Sequence, residues 1–148
     1  MITLDSNVVL YLHDDGQPEK QAVAAQVIST LAAQRSPVAL QVVGETQNIL
    51  RRKFKLPPPL VAELATRILT GFDMAIPAPS DAVTALDEMA QGRLSYWDAL
   101  LIACVKRNGC STLITEDMQD GATILGVEIV NPFGPDGLSS RASELLAA

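Results

Sequence analysis

Apolar and polar positions alternate along the chain in a way that predicts short strands and longer helices in turn. Runs of aliphatic and β-branched residues predict strands at residues 2–5, 38–41, 74–77, 112–115 and 127–130. Segments of good helix formers predict helices directly after residue 5 and over 18–33, 42–54, the stretch after prolines 57–59 to about 70, 81–90, 94–105 and 138–146. This alternation is typical of an α/β fold with a mainly parallel sheet.

Length and composition predict one domain, residues 1–148, with a sizeable core. The net charge of −6 argues against a protein that coats nucleic acid, because such binding depends on Lys and Arg, but it allows an enzyme that handles phosphates through metal ions. The longest apolar run, residues 99–105, is far below the roughly 18 residues of a membrane span, and Asp5 interrupts any signal-like start. Cys104 and Cys110 make no disulfide framework in a chain of this kind. We therefore expect a cytoplasmic protein without a membrane segment.

Three acidic residues follow predicted strands. Asp5 ends the first strand, and Glu116 and Asp117 come directly after the fourth. Ligands of parallel sheets bind beyond the carboxyl ends of the strands, which favours a functional role for these acids. Asp is also common at helix N-caps and in turns, so a purely structural role for each acid stays open at this point.

Two further acids lie beside apolar positions of predicted helices. Asp98 belongs to a helix that is apolar on nearly every side and is therefore expected to be buried, and Glu45 has Val42 and Ile49 on its own helix face. A buried carboxylate must pair with a cation, coordinate a metal or take up a proton. For Asp98, an ion pair with Arg93, Lys106 or another basic residue is the structural alternative.

Four acids that converge would repel one another unless a cation lies between them. Hard divalent cations with oxygen ligands, such as Mg²⁺ or Mn²⁺, relieve this repulsion. Zinc is disfavoured because the set contains no thiolate or histidine ligand, and His13, the one histidine, lies a helix length away from Asp5. Carboxylate-bound magnesium serves phosphate chemistry, so the pattern indicates a phosphodiester or phosphoryl substrate.

Four segments of the chain resemble the acidic motifs of PIN-domain ribonucleases, in order and at the usual spacing. They are residues 4–9 (LDSNVV), 43–48 (VGETQN), 94–100 (LSYWDAL) and 113–121 (LITEDMQDG). The VapC-type toxins of bacterial toxin–antitoxin pairs are the branch that the segments resemble most. The resemblance implies a three-layer α/β/α sandwich and magnesium- or manganese-dependent hydrolysis of RNA by a metal-activated water.

The resemblance also implies site residues and partners. By position, the family's four metal-binding and catalytic acids correspond to Asp5, Glu45, Asp98 and Asp117, and its common orienting groups correspond to the side chains of two polar residues, Asn7 and Thr115. Glu116 occupies a variable position and is left without a role. VapC-like proteins usually form homodimers and are silenced by a cognate antitoxin, so both partners are expected here beside the RNA substrate.

A cluster of cations ends the helix that carries Glu45. Arg51, Arg52 and Lys53, with Lys55 close behind, are candidate RNA contacts, although cations at a helix C-terminus are favoured by its dipole in any protein. Tyr96 and Trp97 could stack on a base, but in a chain with 4% aromatic residues we expect Trp97 to belong to the core.

Two other classes of function compete with a nuclease toxin. A phosphotransferase with an aspartyl nucleophile is disfavoured, because haloacid-dehalogenase-like enzymes have a second Asp where this chain has Asn7. A housekeeping PIN-type nuclease and a non-catalytic PIN-like module that binds RNA or a partner stay open. The sequence does not identify the RNA or the number of metal ions.

Overall fold

The computed structural model describes all residues, 1–148, and contains seven helices and eight strands joined by loops. The helices are α1 (Ser6–Tyr11), α2 (Pro18–Ala33), α3 (Leu40–Arg52), α4 (Pro58–Gly71), α5 (Pro79–Ala90), α6 (Tyr96–Arg107) and α7 (Ser140–Ala147). The strands are β1 (Ile2–Leu4), β2 (Pro37–Ala39), β3 (Asp73–Ala75), β4 (Thr112–Ile114), β5 (Thr123–Ile124), β6 (Val127–Val130), β7 (Phe133–Gly134) and β8 (Gly137–Leu138). No helix combines the length and the apolar character needed to span a membrane.

The central sheet has the strand order β1-β4-β6-β5, in which β1, β4 and β6 are parallel and β5 is antiparallel. The parallel pair β2–β3 lies beside β1, and β7–β8 form a separate hairpin. The predicted mainly parallel α/β arrangement is confirmed, with helices flanking the sheet as in a three-layer α/β/α fold. Strands β1 and β4 are parallel and pair residue by residue, so their carboxyl ends lie together at one edge of the sheet.

The main core contains aliphatic side chains from the sheet and the flanking helices. Leu4 and Leu113 of adjacent strands, Val8 of α1, Val27 of α2 and Ile102 of α6 are fully buried in it. Apolar contacts within this cluster hold α1 and α6 against the sheet. The first turns of these helices carry Ser6, Asn7 and Asp98, so core packing determines where these polar side chains lie.

Several boundaries differ from the sequence predictions. The helix predicted from residue 42 begins at Leu40, and the strand predicted at 74–77 spans Asp73–Ala75. Strands β5, β7 and β8 were missed because two residues are too few to show a period.

The prediction that Trp97 belongs to the core is wrong. Its side chain is 61% exposed, because burial along α6 begins at Ala99 and the first turn stays at the surface. Asp98, in the same turn, is only half-buried.

Candidate active site

The carboxyl ends of β1 and β4 bring Asp5 next to Thr115. Leu4 lies opposite Ile114 in the parallel pairing, and the backbone N–H of Asp5 donates to the carbonyl of Ile114 at 3.0 Å. One residue further on, Thr115 Oγ1 donates to Asp5 Oδ2 at 3.2 Å. The register of the two strands therefore sets this contact between residues 110 positions apart.

Asp5 is both a helix cap and a buried carboxylate beside other acids. Its Oδ1 accepts from the backbone N–H of Ser6 at 2.7 Å and caps α1, and its side chain is almost fully buried. Burial raises the pKa of Asp5 to about 6, and the nearby charges of Glu45 and Asp117 act in the same direction, against the lowering effect of hydrogen bonds from Ser6 and Thr115. Asp5 therefore caps a helix, as its position in the sequence suggested, and also belongs to an acidic cluster.

Glu45 joins Asp5 through the hydroxyl of Ser6. Ser6 Oγ lies 2.8 Å from Glu45 Oε2, to which it donates, and 3.4 Å from Asp5 Oδ1. The other oxygen, Glu45 Oε1, accepts from Gln41 Nε2 at 2.8 Å, one turn earlier on α3. Ser6 and Gln41 were not singled out from the sequence, and the contact that Ser6 makes spans 39 residues, so no local signal marks it.

Asp117 joins the same cluster through Asn7. Asn7 Nδ2 lies 3.1 Å from Asp117 Oδ2, 2.8 Å from Thr115 Oγ1 and 3.4 Å from Asp5 Oδ2. Thr115 Oγ1 also accepts from the backbone N–H of Asp117 at 3.2 Å. Asn7 and Thr115 therefore lie between two carboxylates and orient both.

Asp98 stands apart from the other three acids. Its backbone N–H donates to the Ser95 cap at 3.1 Å, but its carboxylate makes no hydrogen bond and no ion pair. The connection to the cluster is indirect: Gln41, which binds Glu45, also donates to the carbonyl of Trp97 at 3.2 Å. The ion pair considered for Asp98 is absent, since Arg93 binds Glu88 instead.

None of the four predicted acids has a Lys or Arg partner, although six of the eleven cations of the chain form ion pairs elsewhere. The donor atoms are all carboxylate oxygens, the type that hard divalent cations prefer. No three His, Cys, Asp or Glu side chains are placed as direct ligands of one ion. The chemistry of the donors fits a cation that keeps several waters, as Mg²⁺ does, rather than one enclosed by protein ligands.

The Glu116 carboxylate is held by Lys20 and Tyr11, next to the acidic cluster. Lys20 Nζ lies 2.9 Å from Glu116 Oε2, and the Tyr11 hydroxyl donates to Glu116 Oε1. Lys20 Nζ is also 4.9 Å from the centre of the Tyr11 ring and 5.1 Å from that of Phe133. The backbone N–H of Glu116 donates to Asn7 Oδ1 at 3.2 Å, so this ion pair borders the acidic cluster.

A cleft of about 640 Å³ opens beside the acids, and Arg52 and Lys53 line it together with Asn7, Glu116 and Asp117. Arg51 does not line this cleft. The five cations without an ion pair include all four of the cluster at residues 51–55. Uncompensated positive charge therefore lies next to uncompensated negative charge, on one side of the site.

Comparison with known proteins agrees with this arrangement. Residues 2–119 match the PIN domain family. Among solved structures, VapC20 of Mycobacterium tuberculosis, a toxin that cleaves the sarcin-ricin loop, has a TM-score of 0.59 and 18% identity over 76% of this chain and 87% of its own. A toxin–antitoxin complex from Klebsiella pneumoniae has a TM-score of 0.62 and 18% identity over 90% of this chain and 98% of its own. No curated protein matches the sequence. Because the family match covers most of the chain and the solved structures share its fold, the protein belongs to the PIN domain family.

Proposed function

We propose that this protein is a metal-dependent endoribonuclease and the toxin of a type II toxin–antitoxin pair. The observation that carries the proposal is the set of three carboxylates, Asp5, Glu45 and Asp117, which share hydrogen-bond donors at the end of two parallel strands and have no cation partner. A protein gains nothing in stability from such a set, because burial and mutual repulsion both oppose its charge. A bound divalent cation would reverse this cost.

The proposed metal site is formed by Asp5, Glu45 and Asp117, with Asp98 contributing from α6. Some of these carboxylates would hold the ion through its bound waters, because no three of them are placed as direct ligands. Mg²⁺ or Mn²⁺, when bound, stabilises charge on phosphoryl oxygens and lowers the pKa of water. Ser6, Asn7 and Thr115 hold the carboxylates in place through the hydrogen bonds described above, in the manner of residues that orient metal ligands. Since no histidine or cysteine lies among these residues, a covalent intermediate on the protein is not part of the proposal.

RNA is the proposed substrate because a cationic wall adjoins the acids. Arg52 and Lys53 carry free charge on the same cleft as Asp117, where they can bind phosphates on either side of the cleaved bond. Such contacts position the backbone and carry no sequence information themselves.

The toxin assignment and the partners rest on the similar structures. One is a toxin that cleaves the sarcin-ricin loop, and the other is a complex of toxin with antitoxin. We propose a cognate antitoxin and a homodimer in the cytoplasm for this chain as well. Val83, Leu86 and Met89 of α5 are 48–68% exposed, which supports an apolar contact between subunits.

Cleavage assays test the proposal. Purified protein with Mg²⁺ should cut single-stranded RNA internally, and EDTA should stop cleavage. Asp5→Asn or Asp98→Asn should reduce cleavage by at least about 10- to 100-fold, the range found when the support of a metal ligand is lost. Asp136→Asn, which removes an exposed carboxylate that makes no hydrogen bond, is the matched control and should cut normally. Unchanged activity in both site variants would refute the proposed site, and RNA binding without any cleavage would favour a non-catalytic module.

Toxicity is tested separately. Expression of the wild-type chain should arrest growth, Asp5→Asn should not, and coexpression of a small antitoxin gene from the same operon should restore growth. Cleavage without growth arrest would indicate a housekeeping nuclease.

A further inference from the structure

A second cleft, of about 590 Å³, adjoins the acids on the side away from Arg52 and Lys53. Leu40, Pro77 and Trp97 supply apolar walls, and Glu45 lies at the boundary with the acidic cluster. Trp97 is 61% exposed and Leu40 is 41% exposed, so the cleft offers open apolar surface. Because Leu40, Pro77 and Trp97 line one cleft, their apolar surface is grouped beside polar residues, as is typical of a binding groove.

The two clefts follow one face of α3 and form one path past the acids. Gln41 and Glu45 line the apolar cleft, and Asn48 and Arg52 line the cationic one. These positions are spaced by four, three and four residues, which places them in one row on a helix. The row is about 16 Å long, from eleven residue steps of 1.5 Å.

We propose that the apolar cleft binds an unpaired base of the RNA, stacked on the indole of Trp97, while the adjoining backbone runs toward Arg52 and Lys53. This inference rests on the proposed ribonuclease function and adds the recognition of a base. The charges along the path favour a base in the apolar cleft and phosphates in the cationic one. The apolar cleft has no cation, and its one charged residue is Glu45, which repels phosphate but not a neutral base. Stacking on aromatic side chains is the usual way in which proteins hold unpaired bases.

Hydrogen bonds link the position of Trp97 to the acids. Gln41 Nε2 donates both to Glu45 Oε1 at 2.8 Å and to the Trp97 carbonyl at 3.2 Å. The Tyr96 ring lies edge-on to the indole, with 5.1 Å between ring centres and an angle of 82° between the planes. Trp97 is thereby held at a defined place relative to Glu45, as a base-binding residue next to a cleavage site must be.

Gln41 supplies a second, independent observation. Its Oε1 atom is buried and has no hydrogen-bond donor, and of the three such side-chain atoms in the protein it alone belongs to a residue of this cleft. The Watson–Crick edge of an unpaired base carries N–H donors. Such a donor is the kind of partner that the Gln41 oxygen lacks.

The fluorescence of Trp97 tests the inference directly, because it is the only tryptophan in the chain. In EDTA, oligoadenylate of eight nucleotides should quench this fluorescence to saturation. An abasic ribose-phosphate octamer should bind more weakly and leave the fluorescence unchanged. By anisotropy of end-labelled oligoadenylate, Trp97→Ala should weaken binding about 5- to 150-fold, as expected for loss of one stacked base, and Trp97→Phe should weaken it less. Leu69→Ala, at another exposed apolar position, should bind normally.

The outcomes separate this inference from the proposed function. Normal cleavage of RNA with no change in Trp97 fluorescence would overturn the inference and leave the ribonuclease in place. Quenching without any cleavage would support base binding while refuting the nuclease. If the fluorescence instead changes with protein concentration, or on adding a cognate antitoxin, and not with RNA, the cleft is a protein interface and the inference is wrong.

Discussion

Asp5 carries a charge that the fold itself makes unfavourable. The carboxylate is 6% exposed and lies near Glu45 and Asp117, and its pKa is raised to about 6 from an ordinary value of 3.8, mainly by burial. Between these pH values the folded protein retains a proton that the unfolded chain has released, so the free energy of unfolding falls as the pH rises through this window. The ionised form of Asp5, which a metal site would need, therefore lowers the stability of the metal-free fold.

Replacement of this residue should therefore stabilise the metal-free protein. In EDTA at pH 8, we expect Asp5→Asn to increase the free energy of unfolding by up to about 3 kcal/mol, the equivalent of the raised pKa, and to have little effect below pH 4. Urea unfolding followed by circular dichroism at both pH values measures the difference. Asp136→Asn should show no such pH dependence, and a destabilised Asp5→Asn protein at pH 8 would contradict the explanation.

At the scale of elements, α3 connects the parts of the site. Its first half carries Gln41 and Glu45, its last turn carries Arg52, and the hydrogen bond from Ser6 to Glu45 joins it to α1. The cations at its end were predicted either as RNA contacts or as ordinary partners of the helix dipole. In the structure these cations differ in where they point: Arg52 and Lys53 line the cleft, and Arg51 does not.

This difference in direction predicts unequal effects on RNA binding. We expect Arg52→Gln to weaken binding of single-stranded RNA in EDTA several-fold and to reduce the slope of log K against log salt by about one, as for loss of one phosphate contact. Arg51→Gln removes the same single charge at the adjacent position, and it should alter the affinity and the salt slope less. Equal effects of the two substitutions would mean that only the overall charge of the helix end matters.

The ion pair between Asp81 and Arg107 joins the start of α5 to the end of α6. Arg107 donates to both oxygens of Asp81, and Asp81 also accepts from the backbone N–H of Ala78 at 2.8 Å. Burial acts to raise the pKa of Asp81, but the hydrogen bonds from Arg107 and Ala78 outweigh it, and the pKa lies below its usual value. This pair holds α5 against α6, the helix whose first turn carries Trp97 beside the apolar cleft.

Removal of Arg107 should leave the buried carboxylate of Asp81 without a cation and so destabilise the fold. We expect Arg107→Ala to lower the free energy of unfolding at pH 7 because buried Asp81 loses its cation partner, although the half-exposed position of Arg107 limits the loss. The loss should shrink as the pH falls below about 4, since a depressed carboxylate pKa stabilises the fold only above that range. Thermal unfolding at pH 7 and pH 3 measures both values. Arg67→Ala, which breaks an exposed pair on α4, should cost less than about 1 kcal/mol, and an equal loss at both pH values would refute the role of Asp81.

For the whole molecule, the distribution of charge matters more than its sum. The net charge is −6, and it is −2 without Asp5, Glu45, Asp98 and Asp117. Three of these carboxylates lie in one place, and the free cations at residues 51–55 lie beside them. The acidic total therefore does not argue against binding of RNA at this site.

Metal should act on the stability of the whole chain. If the acids hold Mg²⁺, a concentration about 100 times its Kd should stabilise the wild type by about 2.7 kcal/mol, and the effect should disappear in the Asp5→Asn, Glu45→Gln double variant. Thermal shift measurements across a Mg²⁺ titration at constant ionic strength provide the test. The Asp136→Asn control should respond like the wild type, and an equal shift in the double variant would place the metal elsewhere.

Local sequence was sufficient for much of the architecture. The helix predicted at 18–33 has the same bounds in the structure, because Pro18 at its start and good helix formers along it are local signals. Asp5 and Asp117 could be assigned to strand ends for the same reason. The two-residue strands and the ion pair of Lys20 with Glu116, 96 residues apart, carry no local signal and could not be predicted.

The sequence by itself determined the alternation of strands and helices and the presence of acids at the strand ends, since these depend on neighbouring residues along the chain. Only the tertiary structure decided which of those acids share donors, because Ser6 and Glu45 are 39 residues apart and Asn7 and Thr115 are 108 apart. It also placed Trp97 at the surface and turned Arg52 toward the acids. Such choices depend on how the helices pack against the sheet, and packing is a property of the whole chain.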